Sequence, residues 1–273
     1  MSRIEAAFAA LAASRRVGLV AYVTAGDPDL ERSATVLRAL DRGGADVLEV
    51  GVPFSDPLAD GPVIQRASER ALRAGTTLAR ALDLVAGVRG DLDAPVVLFT
   101  YANPVLRLGV DRFAARAAEA GVDGVLVLDL PIEEAGPLHA TLAAAGLDTI
   151  FLLSPTTSDE RIAAAARWGR GFLYAISRLG VTGARETIAS GAEALVHRIR
   201  RHTALPVAVG FGLSRPEHVA AVGKFAEAAV VGSALVEFVA GVAGAPDLGE
   251  RVAAYVRWLR GEAPAAAAAS GCA

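Results

Sequence analysis

The chain has 273 residues, 53% of them hydrophobic, with 27 basic against 30 acidic side chains and a net charge of -3. That is enough apolar material for a large core, and α/β barrels of this length are commonly one domain, although two remain open. The charge balance argues against a dedicated nucleic-acid surface, which needs clustered excess Lys and Arg. The short basic run from Arg198 to Arg201 has the spacing of a solvated helix face.

Read in chain order, the first 16 residues, MSRIEAAFAALAASRR, form a short amphipathic run charged at both ends, without the core and cleavage site of a signal peptide. Short aliphatic runs then alternate with longer amphipathic stretches. The runs are VGLVAYV (17–23), ADVLEV (45–50), APVVLFT (94–100), VDGVLVL (122–128), DTIFLL (148–153), GFLYAI (171–176), LPVAVG (205–210) and EAAVVG (227–232). Between them lie helical patterns such as LERSATVLRALDRGG and VDRFAARAAEAG, several ending in Gly as helices commonly do. Eight strands each followed by a helix is the count of a closed (β/α)8 TIM barrel, here with an extra N-terminal helix. The continuously apolar strands suit a sheet covered on both sides. An open doubly wound sheet shares the alternation, but TAGDPDLE follows the first strand where a dinucleotide fold would carry GxGxxG. The catalytic domain is expected over 1–262, and the low-complexity tail 263–273 is expected to be disordered. No apolar span of about 20 residues lacks Gly, Pro and charge, so a membrane helix is not expected. The single cysteine, Cys272, cannot form an intramolecular disulfide, which makes a reducing cytoplasm the default location.

Active sites of such barrels sit at the C-terminal ends of the strands. Glu49 falls there on the second strand, inside the apolar string DVLEVGVPFSDPLADGPVIQ (46–65). Side-chain alternation puts it with Val47, facing the barrel axis if Leu48 and Val50 face the helices. Poor solvation raises the pKa of a carboxylate so placed and lets it give and take a proton near neutrality. Asp60 follows in a loop stiffened by Pro53, Pro57 and Pro62, and two carboxylates at one mouth would separate in pKa and divide acid and base roles. Asp56, between Ser55 and Pro57, reads as a turn cap.

Tyr22, Phe99, Leu126 and Phe211, near strand ends, suit an apolar pocket for a flat ring. Tyr174 points at the same mouth or packs in the core. Glycine-rich turns GVTGA (180–184), GFGLS (210–214) and GSALV (232–236) follow the last three strands, where this fold frequently binds phosphate. The four histidines (His139, His197, His202, His218) fall in helical stretches, and no metal-ligand spacing or Ser-His-acid set is present.

LEVGVPFSDPLADGPVIQ, with YVTAGDPD, YANPV, SPTTSDERI, YAISRLGVTGA, GFGLS and VVGSALV, closely resembles the tryptophan synthase α-subunit family, in order from about residue 4 to 240. The resemblance implies a single barrel that cleaves indole-3-glycerol phosphate to indole and glyceraldehyde 3-phosphate. It implies no cofactor on this chain, and an α2β2 assembly whose β subunit carries pyridoxal phosphate and receives the indole through a tunnel. By the same resemblance Glu49 is the catalytic acid and base and Asp60 the catalytic aspartate. Tyr174 lies near the substrate, and Thr182, in the loop after strand six, positions Asp60. Phosphate-binding positions match Gly183, Gly212, Gly232 and Ser233, and ring contacts match Tyr22, Phe99, Leu126 and Phe211. Tyr22 stands where the family often has Phe, and Phe99 where it is often aliphatic. A stand-alone lyase releasing indole, and a weakly active barrel that mainly activates a β subunit, are the alternative readings.

Overall fold

The computed structural model describes residues 1–176, 185–210 and 212–262; for 185–190 it describes the backbone alone. Thr182, Gly183, Phe211 and the tail 263–273 therefore lie outside the described residues.

The aliphatic runs form parallel strands β1 (Gly18–Thr24), β2 (Val47–Gly51), β3 (Val96–Thr100), β4 (Gly124–Val127), β5 (Asp148–Thr149), β6 (Phe151–Leu153), β7 (Leu173–Ile176), β8 (Val207–Gly210) and β9 (Ala228–Val231). Nine rather than eight appear because the run 148–153 is parted at Ile150. Its first half pairs with β4 and its second with β7, so both ends of the sheet order, β5-β4-β3-β2-β1-β9-β8-β7-β6, belong to one stretch of chain. Ile150 still donates its N–H to Val125 at 2.9 Å, while its side chain turns into the barrel. The result is a nearly closed TIM barrel.

Around it lie α1 (Arg3–Ser14), α2 (Leu30–Arg42), α3 (Pro62–Arg73), α4 (Leu78–Val88), α5 (Ala102–Leu108), α6 (Val110–Glu119), α7 (Ala135–Ala144), α8 (Asp159–Trp168), α9 (Arg185–Arg200), α10 (Pro216–Val222), α11 (Ser233–Val242) and α12 (Leu248–Leu259). The helices start where local chemistry lets them. Asp29 caps α2 and Ser158 caps α8 by accepting the N–H three residues on, and Pro62 and Pro216 occupy first-turn positions that need no donor. Residues alternate across each strand, so Leu48, Val50 and Leu98 pack outward among helix side chains such as Leu37, Leu40 and Leu82. Val20, Val47, Val97 and Leu126 fill the interior.

The extra helix α1 decides which end of the barrel is open. A capping box between Ser2 and Glu5 starts it, and Ile4, Phe8 and Leu11 insert into the interior cluster, with the Phe8 and Phe172 rings 5.4 Å apart. Burying each such side chain is worth about 1.5–3 kcal/mol. The N-terminal end is thereby plugged, and the C-terminal end remains as the mouth. The basic run ends in ion pairs, Arg198 and Arg201 with Asp159 and Arg200 with Glu227. His202 lies just beyond α9, in the turn that closes it, rather than within the helix.

Candidate active site

Glu49 stands on β2 between Tyr22 of β1 and Val97 of β3. Val47 and Val97 of the interior cluster and the Tyr22 and Tyr174 rings surround it, and the residue is 1% exposed. Oε1 is buried without a hydrogen-bond partner among the described residues. Burial alone pushes its pKa from 4.5 up to about 8, so the carboxyl carries its proton at neutral pH and sits close to giving it up.

Asp60 ends the loop between β2 and α3. The turn before it is closed by its own N–H on the Pro57 carbonyl at 3.0 Å, and Gln65 Nε2 donates to the Asp60 carbonyl at 2.9 Å. The side chain accepts from Tyr101 Oη at 3.0 Å. That same phenol oxygen accepts the Ala59 N–H at 3.3 Å, and Phe54 stacks on its ring with centroids 4.9 Å apart. Partial burial raises the Asp60 pKa, while the Tyr101 hydroxyl opposes the rise by favouring the ionised form. The two acids thus differ: Glu49 is sealed, with no partner for Oε1 among the described residues, and Asp60 is half-buried and held. Asp56 is exposed and accepts from its neighbour Ser55, as a turn residue does.

Tyr22 lies between them. Its phenol is driven well above its ordinary pKa first by burial, then by the negative fields of Asp60 and, less, Glu49. Phe99 meets it edge-on at 5.4 Å, with Val63 and Ile64 of α3 and Val236 of α11 packed around the pair. Leu126 is fully buried in the interior cluster, against which Tyr174 packs. Tyr174 is also raised in pKa by burial and by Glu49, and its hydroxyl lies against Gly210 at the end of β8. Both tyrosines need glycine opposite: a Cβ on Gly51 would collide with the Tyr22 hydroxyl, and one on Gly210 with that of Tyr174.

Across the mouth, Gly212 takes φ +70, which favours glycine. Gly232 precedes α11 with no side-chain cap, and the first helical bond there runs from Val236 N–H to Gly232 C=O. The amides of the first turn, with the exposed Ser233, suit an anion. A Cβ on Gly232 would touch Tyr22 at only 3.7 Å, so neither backbone nor packing demands glycine. Its absence leaves room beside those amides.

Sequence reasoning placed Glu49, Asp60, Tyr22, Phe99, Leu126, Tyr174, Gly212, Gly232 and Ser233 at one end of the barrel, and they lie there. It missed Tyr101, although YANPV at the end of the third strand was in view, and it missed Ile64 and Val236, which read as ordinary helix residues. It also missed Asp27, buried after β1 and gripped by Arg70 of α3 at 2.7 and 2.8 Å, which ties the loop after β1 to the helix that follows Asp60.

Residues 8–260 match the family model described as tryptophan synthase alpha chain. The chain belongs to that family. Tryptophan synthase alpha chains from Solibacter usitatus and Burkholderia thailandensis are 49% identical over 260 residues (95% of this chain, 97% of the relative) and 51% identical over 271 residues (98% and 100%). Among solved structures, tryptophan synthase subunit alpha from Legionella pneumophila str. Paris superposes with a TM-score of 0.88 at 38% identity, covering 96% of this chain and 98% of that one. A chain of the tryptophan synthase of Mycobacterium tuberculosis gives 0.85 at 38% identity, covering 96% and 98%. Membership of the tryptophan synthase alpha family makes the chain a lyase of tryptophan biosynthesis. No helix among the described residues is long and apolar enough to cross a membrane.

Proposed function

We propose that Glu49 and Asp60 carry the family's reaction here, the retro-aldol cleavage of indole-3-glycerol phosphate to indole and glyceraldehyde 3-phosphate. The observation that carries this reading is a buried carboxyl, its Oε1 without a hydrogen-bond partner among the described residues and its pKa raised by burial, at the open end of a plugged barrel with a second carboxylate held nearby. Protonated Glu49 gives its proton to indole C3, which leaves an iminium-like ring. The C–C bond to the side chain breaks, its electron pair restores the indole, and the adjacent hydroxyl becomes the aldehyde as Glu49 takes its proton. Asp60 accepts the ring N–H and stabilises the positive charge on that nitrogen. Tyr22, Phe99, Leu126, Tyr174 and Phe211 enclose the ring. Gly183, Gly212, Gly232 and Ser233 hold the phosphate, whose remote binding energy orients the scissile bond, and Thr182 supports Asp60.

The domain that does this spans 1–262, the low-complexity tail 263–273 is not part of it, and the chain works in the cytoplasm without a cofactor of its own. Its partner is a pyridoxal-phosphate-bearing β subunit in an α2β2 assembly. Leu58 and Leu106 support that surface: on segments leaving the open ends of β2 and β3, they are 94% and 64% exposed, unusual for large apolar side chains unless something covers them. The test is indole release from indole-3-glycerol phosphate by the purified chain, alone and with a tryptophan synthase β subunit. Slow release that rises by orders of magnitude with the β subunit is expected. Release equally fast without it supports a stand-alone lyase, and none in either case rejects the reading.

The anion site has its own test. Gly232→Val fills the space beside the α11 amides, so binding of glycerol 3-phosphate should weaken by roughly tenfold or more, the scale of one or two lost charge-assisted bonds. Calorimetric titration with glycerol 3-phosphate and with indole separates this from misfolding, which would weaken both alike.

A further inference from the structure

The turn that carries Gly212 is closed by a side chain to which the reaction as described gives no part. Between Gly212 and α10 the chain runs through Leu213, whose side chain is buried, then Ser214 and Arg215 to Pro216 at the first helical position. His218, the third residue of α10, reaches back over that start. Its Nδ1 accepts the Ser214 N–H at 3.2 Å, while its own backbone N–H donates to the Arg215 carbonyl at 3.0 Å. The turn is thus closed by one bond to the imidazole and one to the backbone of the same residue. Glu or Gln commonly does this at the third position of a helix by accepting an N–H from just before the first turn. Here a histidine does it, with its ring proton on Nε2.

We propose that His218 is a positioning residue for phosphate binding, holding the 212–215 turn so that the Gly212 amide faces the anion. This rests on the reading of Gly212, Gly232 and Ser233 as the phosphate site. Two anchors hold the turn in place, the buried Leu213 side chain and the imidazole. Leu213 fixes where the turn sits, and His218 fixes the rotation of the Leu213–Ser214 peptide plane, through which the turn is joined to Gly212. A glycine at φ +70 has no side chain to fix that rotation itself, so losing the clip lets the amide swing without unfolding the barrel.

The experiment compares wild type, His218→Leu and His218→Gln by calorimetric titration with glycerol 3-phosphate, glycerol and indole, together with kcat and KM for indole-3-glycerol phosphate and thermal melting. Leu removes the acceptor; Gln restores one at the same place. His218→Leu is expected to weaken glycerol 3-phosphate binding and raise KM by roughly three- to tenfold, the range one backbone hydrogen bond supplies, with kcat and indole affinity within about twofold of wild type. His218→Gln should return glycerol 3-phosphate affinity to the wild-type range. Unchanged phosphate affinity in His218→Leu, an equal loss for indole, or no recovery in His218→Gln overturns the proposal and leaves His218 a helix cap only. A wild-type chain that binds glycerol as well as glycerol 3-phosphate overturns the phosphate site itself.

Discussion

Glu49→Gln is expected to lower kcat by about 10² to 10⁴-fold, the span of a lost general acid and base, while leaving substrate affinity near wild type. Gln matches the protonated carboxyl in shape and hydrogen-bonding capacity but can neither give nor take the proton. The same variant should behave differently from wild type in stability. Burial holds the Glu49 pKa at about 8 against an ordinary 4.5. Below about pH 4.5 folded and unfolded chains both keep the proton, and the group is neutral to folding. Between 4.5 and 8 the unfolded chain releases it and the folded one does not, so wild type loses stability as pH rises through that window and levels off above it. The loss is on the order of a few kcal/mol, and Glu49→Gln lacks it. Denaturant melts of both proteins from pH 4 to 9 check this: the variant should gain on wild type steadily toward pH 8. A constant difference across that range would mean that Glu49 ionises in the fold as easily as in water. More than a tenth of wild-type activity in the variant would remove Glu49 from the chemistry.

The second large effect is expected at Asp60. Asp60→Asn removes the anion facing the developing positive charge and should cost roughly 10² to 10³ in kcat, comparable to losing one preorganised electrostatic contact. Tyr101→Phe removes only the hydroxyl that holds Asp60 at 3.0 Å and that also receives the Ala59 N–H. It should cost about tenfold in kcat, and the double variant should be no worse than Asp60→Asn, because Tyr101 acts through Asp60. Single-turnover measurement of indole release on the four proteins gives the cycle. Additive losses would show that Tyr101 touches the reaction by another route.

Much of this was legible before any coordinates. Strand periodicity set the alternation of strand and helix, the missing GxGxxG favoured the barrel over an open sheet, and side-chain alternation put Glu49 on the same side as Val47, a local property of an extended chain. The extra N-terminal helix was visible as a short amphipathic run charged at both ends, and the glycines at 212 and 232 were visible by their places after the strands. Nothing local, however, says that a helix at residue 3 closes the barrel floor against Phe172, and so leaves a single mouth.

The tertiary structure also decided what each acid meets. The loop string with Asp60 said that a carboxylate was carried on a stiff segment, and the family resemblance named Thr182 as its support. The described support is Tyr101, between the end of β3 and α5 and 41 residues on, a contact that no periodicity encodes. The break at Ile150 was equally silent: DTIFLL reads as one strand, and only the competing pairings with β4 and β7 on either side divide it. The pKa of Glu49 follows the same logic. The sequence by itself determined that an acid would stand in an apolar strand, whereas its near-complete burial, with Oε1 unpartnered among the described residues, depends on side chains from distant strands that meet only when the barrel closes.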